Sequence, residues 1–337
     1  MNRHVVVLPD DIVQTISERL EGGTGYDVDG PDLRFLRLPH PRTKLPALFL
    51  PHETKDGVKS IVLEVQTVAP PNPRSWFMPE GEVLKDGQML LLTPVDPIFL
   101  LIPLLECSCP SVDSPNNFRS AEDLFEAAAS TFIKTMGAGG DSNPASYSTD
   151  DLLRLLSYRC VNRAMTQICE VKEITVDITV YRYSKQMVMD YLKVKVKRLS
   201  APTVCEMSTT LIRHLAKNGL MDDGKEDLLD SGRTKAACEL LSQYLPDVLY
   251  AELLKQYDFA ELDTHLLAIH AEQTAIEEFN AQAVPKPKKG KAPSQKKGDP
   301  AEKKRKAPAR ASNGVEKLKK ANVKGMAKIS SFFQKPA

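Results

Sequence analysis

The chain has 337 residues, a net charge of +1 and 42% hydrophobic residues, enough for two modest domains and a tail. Its start offers one short apolar run, Val5-Val6-Val7-Leu8, closed by Pro9, and this excludes a signal h-region or a membrane span there. The near-zero charge conceals a division: residues 285–337 carry 17 Lys/Arg and 3 Asp/Glu, residues 1–284 carry 28 and 41.

In chain order, residues 1–95 read as a strand-rich domain. Arg3–Leu8, Leu33–Leu38, Ala47–Leu50, Ser60–Val68, Ser75–Met78 and Gln88–Leu92 are apolar runs of strand length. Turn material separates them, notably Pro70-Pro71-Asn72-Pro73 and Asp86-Gly87. Asp11–Leu20 reads as a short helix. Six short strands in under a hundred residues predict a small barrel or sandwich. Such a unit buries little surface alone, so completion by another polypeptide is an open alternative.

Residues 96–283 read as a second, mainly helical domain. Asp96 can cap a helix and Pro97 suits its first position, while Pro103 should end or kink that helix early. Residues 118–136 and 149–169 look helical. Ile174, Val176, Ile178 and Val180 alternate as in a strand. Ser184 can cap the next helix, Lys185–Leu199. Residues 203–219, 234–257 and 259–282 are further helices, with Pro246 interrupting the second and Asp222–Asp230 an acidic loop. Helices around one strand pair predict a winged-helix-like domain. The class is therefore α+β.

From Pro285 the chain is Lys, Pro, Ala, Gly and Ser with few apolar residues. Residues 284–324 cannot offset their ordering entropy and are expected to be a disordered basic linker. An acidic body with such a tail points to an anionic partner, most simply nucleic acid, with a solvated linker as the plainer alternative. Lys303-Lys304-Arg305-Lys306 is a cluster of nuclear-import type, which predicts a nuclear protein. Residues 325–337 end in a docking spacing. One turn of 3₁₀-helix would bring Ile329 and Phe332 to one side, with Phe333 beside them. Lys193, Lys195, Lys197 and Arg198 are candidate nucleic-acid contacts, or equally a solvated helix face.

Catalytic patterns do not emerge. Gly22-Gly23-Thr24-Gly25 lacks the Lys of a P-loop, and no Ser-centred nucleophile elbow appears. The carboxylates of Asp150, Asp151, Asp222 and Asp223 sit at helix starts and in loops, which are solvated or capping positions by default. The six cysteines, Cys107, Cys109, Cys160, Cys169, Cys205 and Cys238, are scattered and read as free thiols. Cys107-x-Cys109 has no second pair at zinc spacing, so neither a metal nor a cofactor is expected.

Three separated stretches carry a resemblance. They are Arg74-Ser75-Trp76-Phe77 with Asp86-Gly87 and Thr93-Pro94-Val95-Asp96-Pro97; Tyr181-Arg182-Tyr183-Ser184 leading into Tyr191-Leu192-Lys193; and Gly325-Met326 with Ile329, Phe332 and Phe333. Their order and content resemble the B subunit of the eukaryotic type 2 ribonuclease H complex. The resemblance implies a non-catalytic scaffold. Its first domain, with Arg74, Trp76 and Phe77 as barrel residues, would share a triple barrel with the C subunit. That pair would support the catalytic A subunit, which holds the metal ions. The assembled heterotrimer would cut RNA in RNA–DNA hybrids and initiate removal of single ribonucleotides from duplex DNA. Met326, Ile329, Phe332 and Phe333 would bind the replication sliding clamp, proliferating cell nuclear antigen. Met326 stands where that motif usually has Gln, at a loss of one polar contact worth about 1 kcal/mol. From another class, the alternative is a nuclear chromatin protein that binds nucleic acid through its basic tail.

Overall fold

The computed structural model describes residues 3–21, 33–54, 58–72, 74–79, 81–85, 87–107, 117–137, 148–176 and 178–283. The chain divides into two units, Met1–Ala281 and Gln282–Ala337. The expected basic linker 284–324 and docking peptide 325–337 lie outside the described residues, and with them Lys303, Lys304, Arg305, Lys306, Met326, Ile329, Phe332 and Phe333.

The first part is built on strands β1 (Val5–Val7), β2 (Leu36–Pro39), β3 (Pro46–Glu53), β4 (Ser60–Val68) and β7 (Met89–Val95), in the spatial order β1-β7-β4-β3-β2. All neighbours are antiparallel except β1 and β7, which run parallel with Val6 opposite Leu90. The expected barrel is thus an open sheet within this chain. A two-stranded hairpin, β5 (Trp76–Phe77) and β6 (Val83–Leu84), stands apart from it. The sequence reading missed β6, because two residues carry no period.

Alternation along the strands gives the sheet two apolar faces. Leu36, Leu38, Phe49, Val62 and Val95 are buried on one and join the main core with the helices. Leu50, Leu63 and Leu92 are buried on the other, under Ile12 of helix α1 (Asp10–Glu21).

Helix α2 (Pro97–Cys107) follows β7 directly and is buried continuously from Ile98 to Leu105. It begins as expected: Asp96 Oδ1 accepts the Ile98 N–H at 3.1 Å, and Pro97 is its first residue. It does not end at Pro103. A mid-helix proline costs about 3 kcal/mol, whereas burying each of the surrounding Leu, Ile and Phe side chains contributes about 1.5–3 kcal/mol. Burial wins, and the helix runs on for a turn.

Helices α3 (Ala121–Gly137), α4 (Thr149–Leu155) and α5 (Arg159–Ile168) come next, then the hairpin β8 (Cys169–Thr175) and β9 (Ile178–Tyr183). Two expectations are corrected here. The single helix expected over 149–169 is two helices joined at 156–158. In one straight helix Leu152 and Ile168 would point about 160° apart; the break turns both into one core, where each is fully buried. The single strand expected around 174–180 is the distal part of a hairpin, whose turn has no glycine or proline to betray it. The pair α4–α5 with the β8–β9 wing is a winged helix-turn-helix.

Helix α6 (Lys185–Leu199) is capped as expected, with Ser184 Oγ accepting the Met187 N–H at 3.3 Å. The expected helix 203–219 divides into α7 (Pro202–Cys205) and α8 (Thr209–Lys217), because Ser208 Oγ caps a fresh start by accepting the Leu211 N–H. Helix α9 (Glu226–Leu241) begins inside the expected acidic loop, where Glu226 and Asp227 favour a helix N-terminus. Pro246 then opens α10 (Asp247–Leu254), and α11 (Ala260–Ala283) ends the described chain.

Candidate assembly surface

The sheet's two edges are prepared differently. On β2 the Arg37 N–H points away from β3, and Asp151 of α4 accepts it at 3.0 Å through Oδ2. Asp151 Oδ1 accepts a second bond from Arg34 Nη2 at 3.2 Å. Asp151 is only 6% exposed. The sequence reading treated it as a solvated capping residue; the structure corrects this, and no side-chain cap bond is present at the start of α4. Its use is to close an edge. A contact 114 residues away leaves no local signal.

At the other edge β1 pairs only with β7 among the described strands. Val6 and Val7 are 43% and 45% exposed. The β5–β6 hairpin adjoins this edge through the Arg3–Glu82 ion pair. Trp76 Nε1 donates to the Gln88 carbonyl at 3.0 Å, and Trp76 pairs with Leu84. The hairpin's Phe77 is 82% exposed and its Val83 51%. Four apolar side chains thus stand exposed on β1 and the adjoining hairpin, which makes this edge the candidate interaction surface. A three-residue edge strand is also a way to blunt a sheet; this one presents Val6 and Val7 to water rather than charged side chains.

The motif Arg74-Ser75-Trp76-Phe77 with Asp86-Gly87 gains a physical meaning here. A Cβ on Gly87 would lie 2.8 Å from Arg74 Cβ and 3.1 Å from Pro70 Cγ. Only glycine lets the segment before the hairpin pass this close to the start of β7.

Two polar joints seat the helices on the sheet, and the first is built on a buried carboxylate. Glu64 of β4, 4% exposed, accepts from Tyr244 Oη at 2.7 Å and from Gln66 Nε2 at 3.0 Å. His40 stacks on Tyr244 at 5.7 Å and brings Nε2 to 3.6 Å from Glu64 Oε1. Its Nδ1 accepts the Arg42 and Thr43 N–H groups, which leaves the ring proton on Nε2. Burial and the carboxylate's bond push the Tyr244 hydroxyl up, so it stays a donor. In the second joint Asp96 accepts from Tyr191 Oη and pairs with Lys195 Nζ at 2.6 Å. Burial and Asp96 likewise raise Tyr191.

This second joint separates the α6 cations that the sequence grouped. Lys195 faces inward to Asp96 and lies over the Tyr191 ring. Lys193 is half-buried, while Lys197 and Arg198 are exposed. Sequence reasoning passed over α5, which exposes Asn162, Arg163, Thr166 and Gln167. Splitting 149–169 correctly would have revealed it as the second helix of the pair. Cys107, Cys160, Cys169, Cys205 and Cys238 are free thiols, and burial pushes Cys238 up to about 11; Cys109 lies outside the described residues.

A partial barrel with one prepared edge, fused to a winged helix-turn-helix, defines a two-part assembly protein. Family models match both parts: residues 8–96 match the Ydr279p protein triple barrel domain, and residues 99–254 the Ydr279p protein family (RNase H2 complex component) wHTH domain. The chain belongs to this family, as a B-type component of the RNase H2 complex. It is 27% identical to the ribonuclease H2 B subunit of Schizosaccharomyces pombe over 312 residues, covering 91% of this chain and 96% of the relative. Against the ribonuclease H2 B subunit of Xenopus tropicalis it is 25% identical over 272 residues, covering 78% of this chain and 76% of the relative.

Two outcomes test this geometry. Gly87→Ala is expected to push the β5–β6 hairpin off the start of β7. Trp76 is the single tryptophan, so its emission should shift to the red in the variant. His40 supplies a pH test. Burial holds it below its ordinary 6.5 against the opposing pull of Glu64. The unfolded chain therefore takes the proton first. Stability from this site is full above about pH 6.5 and declines as the pH falls below it. His40→Phe keeps the ring stack and removes the titration, so urea midpoints of the variant should fall less between about pH 7 and pH 5 than those of the wild type.

Proposed function

We propose that this chain is a non-catalytic scaffold of the RNase H2 complex, in which the rim of β1 and the β5–β6 hairpin receives the C subunit. The observation that carries the reading is the unequal treatment of the sheet's edges: Asp151 closes β2, while β1 stays open beside exposed Phe77 and Val83. Strands from the partner would extend the sheet at β1 and complete the barrel. The pair would then support the catalytic A subunit, which cuts RNA in hybrids and beside single ribonucleotides in duplex DNA. The carboxylates of these joints support a structural role. Glu64, Asp96 and Asp151 each serve a separate joint rather than meeting around a reacting atom.

Recruitment is the second task of this reading. Met326, Ile329, Phe332 and Phe333 bind the sliding clamp, and Lys303, Lys304, Arg305 and Lys306 direct the chain to the nucleus. Direct nucleic-acid contact is a second reading with one observation in its favour, the polar outer face of α5 beside the wing. On α6 it would use Lys197 and Arg198, since Lys195 is engaged by Asp96.

Val6→Lys combined with Phe77→Lys changes two exposed side chains, so folding alone should be unaffected. Co-purification with the C subunit should weaken by about 2 kcal/mol, roughly thirtyfold; unchanged pull-down would count against the β1 rim. Phe332→Ala with Phe333→Ala should abolish clamp binding, measured by calorimetry, and leave assembly and hybrid cleavage intact. Loss of assembly in that variant would contradict a purely recruiting tail.

A further inference from the structure

Helix α11 begins inside the helical body and ends outside it. Leu262 is 1% exposed, packed with Leu215 and Leu220, and Leu266 joins the same small cluster. Leu262, Leu266, Ile269 and Gln273 share one face on the helical repeat, and Ile276 continues it with Phe279 one turn on beside it. The support does not continue. Ile276 is 54% exposed and Phe279 74%.

Where the stripe leaves the body, α8, α9 and α11 enclose an open cleft of about 310 Å³. Leu215, Leu220, Leu266 and Ile269 are among its apolar lining, and Glu239 and His270 are among its polar residues. The cleft owes its shape to Gly232, where a Cβ would meet Leu220 Cδ1 at 2.8 Å. A cleft of this size lies at the lower end of the range for ligand sites and is large enough for one or two large apolar side chains of a partner.

The charge around it is one-sided along α11. That helix carries Glu261, Asp263, Glu272, Glu277 and Glu278 and no Lys or Arg. Lys235, a cation lining the cleft, is paired with Asp263 at 2.5 Å. This leaves Glu272, Glu277 and Glu278 around exposed Ile276 and Phe279. The residues involved lie partly beyond the match to the winged-helix family model, which stops at residue 254.

We propose that the α8–α9–α11 cleft and the outer half of α11 form a docking groove for a basic amphipathic helix of a protein partner. Apolar anchors three and four residues apart fill the cleft and cover Ile276 and Phe279, while flanking Lys and Arg face Glu272, Glu277 and Glu278. A second copy of this chain docked groove to groove is a poor occupant, because it would set the same three carboxylates against themselves.

The test uses the full chain and a fluorescein-labelled synthetic helix of about 18 residues, with Leu at helical spacing and Lys elsewhere, read by anisotropy. A counterpart with Glu in place of Lys is the control. Binding of the Lys peptide and not the Glu peptide is expected. Ile276→Ser with Phe279→Ser should weaken it about tenfold while circular dichroism stays unchanged. Glu272→Gln with Glu277→Gln and Glu278→Gln should weaken it and flatten its salt dependence. Three results would overturn the proposal: no binding of the Lys peptide, equal binding by wild type and the Ser variant, or a wild-type dimer in light scattering that the Ser variant dissolves.

Discussion

The carboxylate of Asp151 does two things at once in this molecule. By accepting the Arg37 N–H it satisfies a donor that the outer edge of β2 would otherwise offer to any passing strand. The same contact joins α4, the first helix of the helix-turn-helix, to the strand-rich part. Closing an edge and seating a domain are therefore one interaction. A buried carboxylate with two donors is stabilising only while both remain; removing a partner leaves an uncompensated charge. The open edge at β1 matters because β2 is closed.

Around that contact the two parts of the chain share a single core. Leu36, Leu38, Phe49 and Val62 from the sheet pack in the same cluster as α2, α3, α5 and α6. The boundary between the two family domains falls at residues 96–99, yet α2, which starts there, is the most completely buried helix. The Glu64–Tyr244 and Asp96–Tyr191–Lys195 joints add direction to this apolar contact. Apolar packing alone would let the sheet slide on the helices; directional hydrogen bonds to the Glu64 and Asp96 carboxylates admit one register. A rigid junction suits a chain whose free surface, at β1 and the β5–β6 hairpin, lies on the sheet's far edge.

Local signals in the sequence were reliable where the cause is local. Strand β4 reads as an apolar run over Ser60–Val68 and has those bounds, and the Asp96-Pro97 and Ser184 caps act where short-range hydrogen bonding puts them. Readings failed where distant packing decides. The break between α4 and α5 serves a shared core, the proline in α2 is outweighed by burial, and the turn of the wing has neither glycine nor proline. Asp151 was read as solvated because its partners, Arg34 and Arg37, lie more than a hundred residues away in the chain, and Lys195 was grouped with its neighbours because Asp96 is far away in the chain. The Trp76 motif was legible as a resemblance; its reason, the close pass at Gly87, needed coordinates.

Amide hydrogen exchange of this chain, alone and with the C subunit, addresses the edge assignment most directly. The account predicts new protection in Val5–Val7 and the Trp76–Leu84 hairpin on binding, with Leu36–Pro39 unchanged because its edge is already closed. Protection confined to Leu36–Pro39, with β1 exchanging as before, would contradict it.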